Sequence, residues 1–405
     1  MSVPPSPISP PPEYNDNPRP LLLLTLAMIG VFAFLQLYAI QAILPELQRD
    51  LNASVVQVGG AVGATVLAVA LVSPLMGMFS DAMGRKWLVV ASVFALAVPT
   101  ALMAFVDSVH SLIVLRFLQG LAVPGVTVVT LAYIGEEFRT GAMVRIMAVY
   151  VAGTGLGGFL GRFLLGHLAE FMTWRAGFGV MAALNLAGAL LVWRVLPPSR
   201  RFVASRHLAG SFATLGQLLR DRNVQAASAL GFTVLFAQMS LFTYINLHLA
   251  DAPYHFSPAQ LANVFTVFLM GVVITPLTGR VVARVGARRV ILMSLALSAL
   301  GVLLTLLPSA AWIVAALGLS ACGVFITQSA TNSFIAHRVT RGRSLASGLY
   351  YTAYYAGGFM GAWACGLAYS HGRWPGTVAA LLAVQAVGWL VAWRFMARPA
   401  RPAGD

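Results

Sequence analysis

Two arginines, Arg116 and Arg162, stand inside stretches of sequence that are otherwise apolar. A guanidinium is costly in such surroundings, so both positions are candidates for function. Each has two uses. Its planar fork of donors can hold an anionic or strongly polar group of a ligand, or it can bond backbone carbonyls and bound water and stiffen the helices around it. Arg116 is the candidate substrate contact. Arg162 is the candidate for conformational control, with a purely structural role equally open.

Uncharged polar residues extend the set. Gln36, Tyr38 and Gln41 fall on one apolar stretch, Gln238, Tyr244 and Asn246 on a second, and Gln328 and Asn332 on a third. Tyr350, Tyr351, Tyr354 and Tyr355 form i, i+4 pairs on a fourth, which sets ring faces side by side along a helix. Gathered about one axis with Arg116, these residues would line a cavity for a small-molecule substrate, with Tyr354 offering a face to planar rings or sugars. Helix packing accounts equally well for any one of them taken singly.

Acid–base chemistry has fewer carriers. None of the 12 Asp and Glu residues falls in the middle of an apolar stretch; Glu46, Asp81 and Glu136 sit at the ends. A desolvated carboxylate is the usual carrier of a coupled proton, so residue types alone give proton coupling little support. His167 can titrate near neutral pH, yet a single histidine near a helix end needs only a hydrogen bond. With His110, His248 and His371 it has no partner carboxylate and no metal-ligand spacing. No catalytic residue, metal or cofactor is expected, and an enzyme is not.

What must position these residues is a membrane. Hydrophobic residues make up 59% of the 405 and charged residues only 9%, against roughly 25% charge in soluble domains. Apolar stretches of about 20 residues, each enough for one helical crossing of a ~30 Å hydrocarbon core, cover 21–45, 54–79, 87–106, 111–134, 146–169 and 176–196. Six more cover 225–249, 259–278, 289–307, 311–335, 345–369 and 376–395. The expected fold class is an all-α polytopic membrane protein of about twelve transmembrane helices.

The net charge of +14 invites a nucleic-acid reading, which the placement of the charge excludes. Arg85, Lys86, Arg139, Arg145, the run from Arg200 to Arg222, Arg280 to Arg289 and Arg338 to Arg343 all fall in alternate gaps, and only Arg49, Arg175 and Arg373 in the opposite ones. By the positive-inside rule both termini are cytoplasmic, with the plasma (inner) membrane as the expected site. Residues 1–20 read as a disordered proline-rich tail without the basic-then-apolar pattern of a cleavable signal. A first bundle over 21–198, an amphipathic cytoplasmic linker over 199–224, a second bundle over 225–396 and a tail over 397–405 complete the division. Cys322 and Cys365 read as small core residues.

The two bundles are copies. Tyr150, Gly157, Gly158, Phe159, Gly161, Gly166 and Trp174 recur as Tyr350, Gly357, Gly358, Phe359, Gly361, Gly366 and Trp374; Pro74, Leu75, Gly77 and Gly84 recur as Pro276, Leu277, Gly279 and Gly286. Two pseudo-symmetric six-helix bundles of this kind enclose solute sites at their interface. Gly153, Gly157 and Gly161, like Gly357 and Gly361, repeat every four residues and clear one helix face.

Between the second and third stretches runs Gly77, Asp81, Gly84, Arg85 and Lys86. Gly84 permits a tight turn, Asp81 can accept from a helix N-terminus, and the basic pair stays cytoplasmic. This resembles the signature loop of the major facilitator superfamily. Its second copy has Ala283 and Ala287 where the aspartate and first arginine would be. Arg116, Gln119 and Gly120 resemble the family's arginine–glutamine–glycine motif, and 153–162 is similar to the glycine-rich fifth helix of drug antiporters, without their Gly-Pro pair. The resemblance covers nearly the whole chain beyond the tail and points to the branch of drug or arabinose efflux permeases.

The resemblance implies a monomeric secondary transporter in the lipid bilayer, exporting a small organic solute by alternating access with a proton as coupling ion; uptake and export are not separated by residues. It implies that Asp81 helps close the cytoplasmic side, with Arg85 pairing Glu136 or Glu137. It also implies that the glycine faces at Gly157 and Gly161 line the seam on which one half rocks over the other, although tight packing explains that spacing as well.

Overall fold

The computed structural model describes residues 19–199, 216–338 and 343–396; within them the side chains of residues 77, 78, 81–83, 140, 343 and 344 lie outside the description. Most of the proline-rich tail, the amphipathic part of the linker and the final tail fall outside the described residues. Eleven helical segments are long and apolar enough to cross a membrane, and the last, Leu345–Phe395, is two helices merged across Arg373, where the backbone turns left-handed (φ 50°). Twelve crossings result. They are α1 (Pro20–Asp50), α2 (Val55–Met83), α3 (Arg85–Met103), α4 (Val109–Glu137), α5 (Thr140–Phe171) and α6 (Trp174–Val195). The second set is α7 (Arg222–Ala250), α8 (Pro258–Val285), α9 (Ala287–Leu304), α10 (Ala310–Arg338), α11 (343–372) and α12 (374–395).

Local chemistry sets the ends. Ser54 caps α2 and Ser257 caps α8, each in a reciprocal box with a glutamine three residues on, which satisfies donors that hydrocarbon cannot. Gly84 and Gly286, equivalent positions of the repeat, have φ of 85° and 89° and turn α2 into α3 and α8 into α9. Only a residue without Cβ enters that region freely. The expected stretch 21–45 is one crossing but not one regular helix: it tightens to a 3-10 turn over Ala39–Ile43 before resuming as Leu44–Asp50.

The glycine faces do not line the seam between halves. A Cβ at Gly153, Gly157 or Gly161 would come within 3.0 Å of the backbone of Ala27, Val31 or Leu35 on α1, and one at Gly357 or Gly361 equally close to Phe232 or Phe236 on α7. These faces therefore bring α5 against α1 and α11 against α7, each inside its own half, with backbones in contact. The duplicated sequence builds the same tight pair twice. The reading of Gly157 and Gly161 as a sliding surface gives way to that packing.

The seam itself runs α2 against α11 and α5 against α8. Gly59 meets Tyr244 and Ala362, Gly63 meets Phe359, Gly358 meets Val66, Gly366 meets Val56, and Gly166 meets Ala262 and Pro258. On α2 these glycine contacts fall between Val56 and Val66 and on α5 near the C-terminal end, so the halves are clamped at glycines at the end of the bundle away from the chain termini. Toward the termini the same helices expose Leu71, Leu75 and Phe79 on α2, Val144 and Val151 on α5, and Val273 and Val281 on α8. The glycine clamp thus lies at the distal end, and the side toward the termini, where these helix faces are more exposed, is called the splayed side.

Gly157→Val drives a branched side chain into the α1 backbone, an overpacking that costs about 1–3 kcal/mol. Its unfolding midpoint in detergent is expected several degrees below wild type, while Gly155→Val, whose added Cβ meets nothing within 4 Å, leaves the midpoint unchanged.

Candidate functional site

At the distal seal the polar residues of several helices converge, beginning with Arg116. It is fully buried on α4. Its Nη1 donates to the Gln36 carbonyl at 2.7 Å and to Oε1 of Gln119, its Nη2 donates to the Leu37 carbonyl, and its Nε reaches the Ala61 carbonyl at 3.4 Å. Gln119 passes the network on to Thr100 at 2.7 Å. All three guanidinium nitrogens thus grip protein, and they grip α1 immediately before its 3-10 turn. The arrangement ties α4 to α1 and α2.

Arg162, on α5, is buried in a different way. Its Nε donates to Oε1 of Gln41 at 2.7 Å and its Nη1 to the Gly158 carbonyl at 2.5 Å. Its guanidinium carbon stands 4.4 Å from the ring centre of Tyr38, 4.8 Å from Phe265 and 4.7 Å from Phe268. Tyr38 belongs to the first half and the two phenylalanines to a 3-10 turn of α8 in the second. Rings in such positions attract a cation through their negative faces.

Gln41 joins the halves. Besides accepting from Arg162, its Nε2 donates to Oγ1 of Thr243 at 2.9 Å, and its backbone carbonyl accepts from Nδ2 of Asn246 at 2.8 Å. Its neighbour Gln36 does not share the site: it turns toward α6 and donates to the Met181 carbonyl at 3.2 Å. Tyr244 spans the seam in the clefts left by Gly59 and Gly366 and donates to the Ala362 carbonyl.

On the splayed side of this seal lies the tyrosine cluster. Tyr350, Tyr351, Tyr354 and Tyr355 have ring centres 5.1–6.5 Å apart. Tyr351 is 38% exposed, while Tyr354 and Tyr355 are buried behind it. Asn332 on α10 lies beside Tyr351. Gln238 and Gln328 are half-buried. The hydroxyls of Tyr150 and Tyr350, equivalent positions of the repeat, are buried without a hydrogen-bond partner. Six of the residues singled out by type are therefore neighbours: Tyr38, Gln41, Arg162, Asn246, Tyr350 and Tyr354. Thr243, Phe265 and Phe268 complete the site; nothing in their types or spacing distinguished them from core residues.

At the other end, Arg85 makes a bidentate pair with Glu136, Nη2 to Oε1 at 2.6 Å and Nε to Oε2 at 3.1 Å, and also donates to Ser80. Lys86 stands 6.0 Å over Trp87. Gly77 and Asp81 belong to α2, and the surroundings of the Asp81 side chain lie outside the description. At the distal surface a cavity of about 850 Å³ opens between the halves. Asn52, His255 and Arg373, the non-glycine residues with positive φ among those described, all line it. The ion pairs described, Arg85–Glu136, Arg175 with Asp50 and Asp107, and Arg373–Asp251, each lie within one half. Across the seam the contacts among the described residues are neutral bonds and ring faces, with two charged groups: Arg162 against Phe265 and Phe268, and Glu170, which accepts from the backbone N–H of Ala259 at 3.2 Å.

A family model described as Major Facilitator Superfamily matches residues 26–253 and 247–405. The chain is 30% identical over 397 residues to the inner membrane transport protein YnfM of Escherichia coli (strain K12), covering 96% of this chain and 95% of that one. It is 29% identical over 350 residues to the MFS-type transporter YybF of Bacillus subtilis (strain 168), covering 86% and 87%. Among solved structures it is similar to a bacterial homologue of the human lysosomal transporter Spinster in an inward-facing, unoccupied conformation. That likeness has a TM-score of 0.78 at 16% identity over 94% of this chain and 98% of the other.

Arg116→Lys keeps a charge but replaces a fork by a single point, so the carbonyls of α1 and α2 cannot both be held. Breaking a buried, fully bonded charge costs about 3–5 kcal/mol. The variant is expected to unfold well below wild type in detergent, and an unchanged midpoint would remove Arg116 from the scaffold.

Proposed function

This chain belongs to the major facilitator superfamily, and from that premise we propose that it exports a small organic solute by alternating access, with a proton as the counter-moving ion. The observation that supports this most directly is the asymmetry of the seam: close glycine contacts at the distal end, more exposed helix faces toward the termini, and a polar, aromatic cluster between them. A cavity of that shape presents a site to one side of the membrane at a time. The clustering of arginines in the gaps at the termini end supports a cytoplasmic placement of that end, and the name of the Escherichia coli relative supports the inner membrane.

In this reading Tyr38, Gln41, Gln238, Asn246, Gln328, Asn332 and Tyr354 form the substrate contacts that polar type and position allow. Arg116 serves as a pin for α1 and α2, because its nitrogens are already committed to carbonyls. Asp81, Arg85 and Glu136 bias the two orientations without touching substrate. The bidentate Arg85–Glu136 pair anchors that loop to α4, and the loop would meet the second half when the cytoplasmic end closes. Gln41, Thr243, Asn246 and Tyr244 form the opposing seal. Transport would then alternate between breaking one set and making the other, with differential stability of a few kcal/mol at most.

Purified protein in liposomes, tested against a panel of dyes, sugars and organic anions with and without an imposed pH gradient, is expected to move at least one solute faster when the gradient is present. Absence of flux for the whole panel in correctly folded protein contradicts the transporter, and flux indifferent to the gradient contradicts proton coupling. Asp81→Asn should lower flux about tenfold while substrate affinity changes less than about twofold, since a latch shifts populations and not contacts. Equal loss of both counts against the latch.

A further inference from the structure

We propose that Arg162 is the anion-binding residue of the cavity and that the transported solute is an organic monoanion with a flat, ring-containing body. The inference rests on the transport reading above and assigns the substrate class of the same cluster.

The first support is charge. Arg162 is 2% exposed, and no carboxylate pairs with it among the described residues: the ion pairs described belong to Arg85, Arg175 and Arg373. A buried cation without a counter-ion is among the least favourable groups a protein can carry. One anionic ligand group relieves it. A neutral solute leaves the charge as it was, and a dianion brings a second charge for which Arg116, already bonded through all three nitrogens, has little capacity.

The second support is the donor count. A guanidinium has five N–H groups. On Arg162 one at Nε and one at Nη1 are taken by Gln41 and Gly158, and Nη2 has no acceptor among the described residues. The ring faces of Tyr38, Phe265 and Phe268 surround the guanidinium and hold it in place, so what remains for a ligand is the Nη edge. A carboxylate meets that edge in the plane, which is the geometry of strong, charge-assisted pairing.

The third support is what surrounds the edge. Tyr38 and Tyr354 are the titratable neighbours of the guanidinium, and Tyr354 continues through Tyr351, which is exposed at the splayed side. Offset and edge-on rings at 5.1–6.5 Å touch one another, and the partly exposed ring of Tyr351 is the face they leave for a planar body. The unpartnered hydroxyls of Tyr150 and Tyr350 would give a ring-borne hydroxyl a partner and would themselves be satisfied by it.

The test uses full-length protein in detergent with 4-hydroxybenzoate as the probe and its uncharged methyl ester as the control. The acid is expected to bind at least about tenfold more tightly than the ester, and Arg162→Gln to abolish that preference while Arg162→Lys keeps part of it. Should Arg162→Gln fail to fold, the acid-against-ester comparison on the wild-type protein still decides. Tyr150→Phe, which removes one hydroxyl, should weaken 4-hydroxybenzoate and leave benzoate unchanged. Equal binding of acid and ester, or an unaltered preference in folded Arg162→Gln, overturns the assignment. If liposomes nonetheless carry an uncharged solute of the panel, the transporter stands and this proposal alone falls. If they carry nothing, the transport reading falls first.

Discussion

Hydrocarbon offers no hydrogen bonds, so every polar group inside this bundle has to find its partner in protein or in the water of a cavity. That constraint explains why the buried polar residues are tied into networks that end on backbone carbonyls. Arg116 ends on Gln36, Leu37 and Ala61; Asn246 ends on Gln41 and Phe242; Asn185 ends on Val93. Each such bond links two helices or braces one turn, and together they hold α1, with its 3-10 interruption, in register with α4, α5 and α7. Exceptions are scattered through the bundle, among them Oδ1 of Asn185 and Oε1 of Gln385, and three of them, the open edge of Arg162 and the hydroxyls of Tyr150 and Tyr350, belong to the polar and aromatic cluster.

Much of this architecture was legible because a bilayer imposes length and periodicity on sequence. Twelve apolar stretches gave twelve crossings, and the glycines at Gly84 and Gly286 turned where their place in the repeat required. Side-chain direction was not legible. Gln36 and Gln41 lie five residues apart on one apolar stretch, and from composition either suits a cavity; the tightening of α1 between them sends one toward α6 and the other into the seam. The glycine spacing of α5 gave a clean face without naming its neighbour, and that neighbour proved to be α1. Phe265 and Phe268 carried no signal at all, since a ring beside a guanidinium has the same sequence signature as a ring in a core.

The duplication is faithful in packing and unfaithful in charge. Val31 and Leu35 seat glycines of α5 as Phe232 and Phe236 seat those of α11, so each half carries the same backbone-to-backbone clamp. Yet Arg85 and its bond to Glu136 have no counterpart in the second half, where Ala287 stands at the equivalent position. Packing is constrained from all sides by close contact, whereas a single ion pair, even one as buried on the arginine side as this, can be replaced by apolar residues in one copy without loss of fold. The first half has kept the charges and the second has supplied the rings.

The ion pairs described in the molecule stay within their own half, and the distal junction is made of amide, hydroxyl and ring contacts. Screening by dissolved salt weakens attraction between separated charges and leaves neutral bonds nearly untouched. The distal junction should therefore hold about as firmly in saline as in dilute surroundings, so that dissolved salt acts on the orientation of this carrier from the cytoplasmic end.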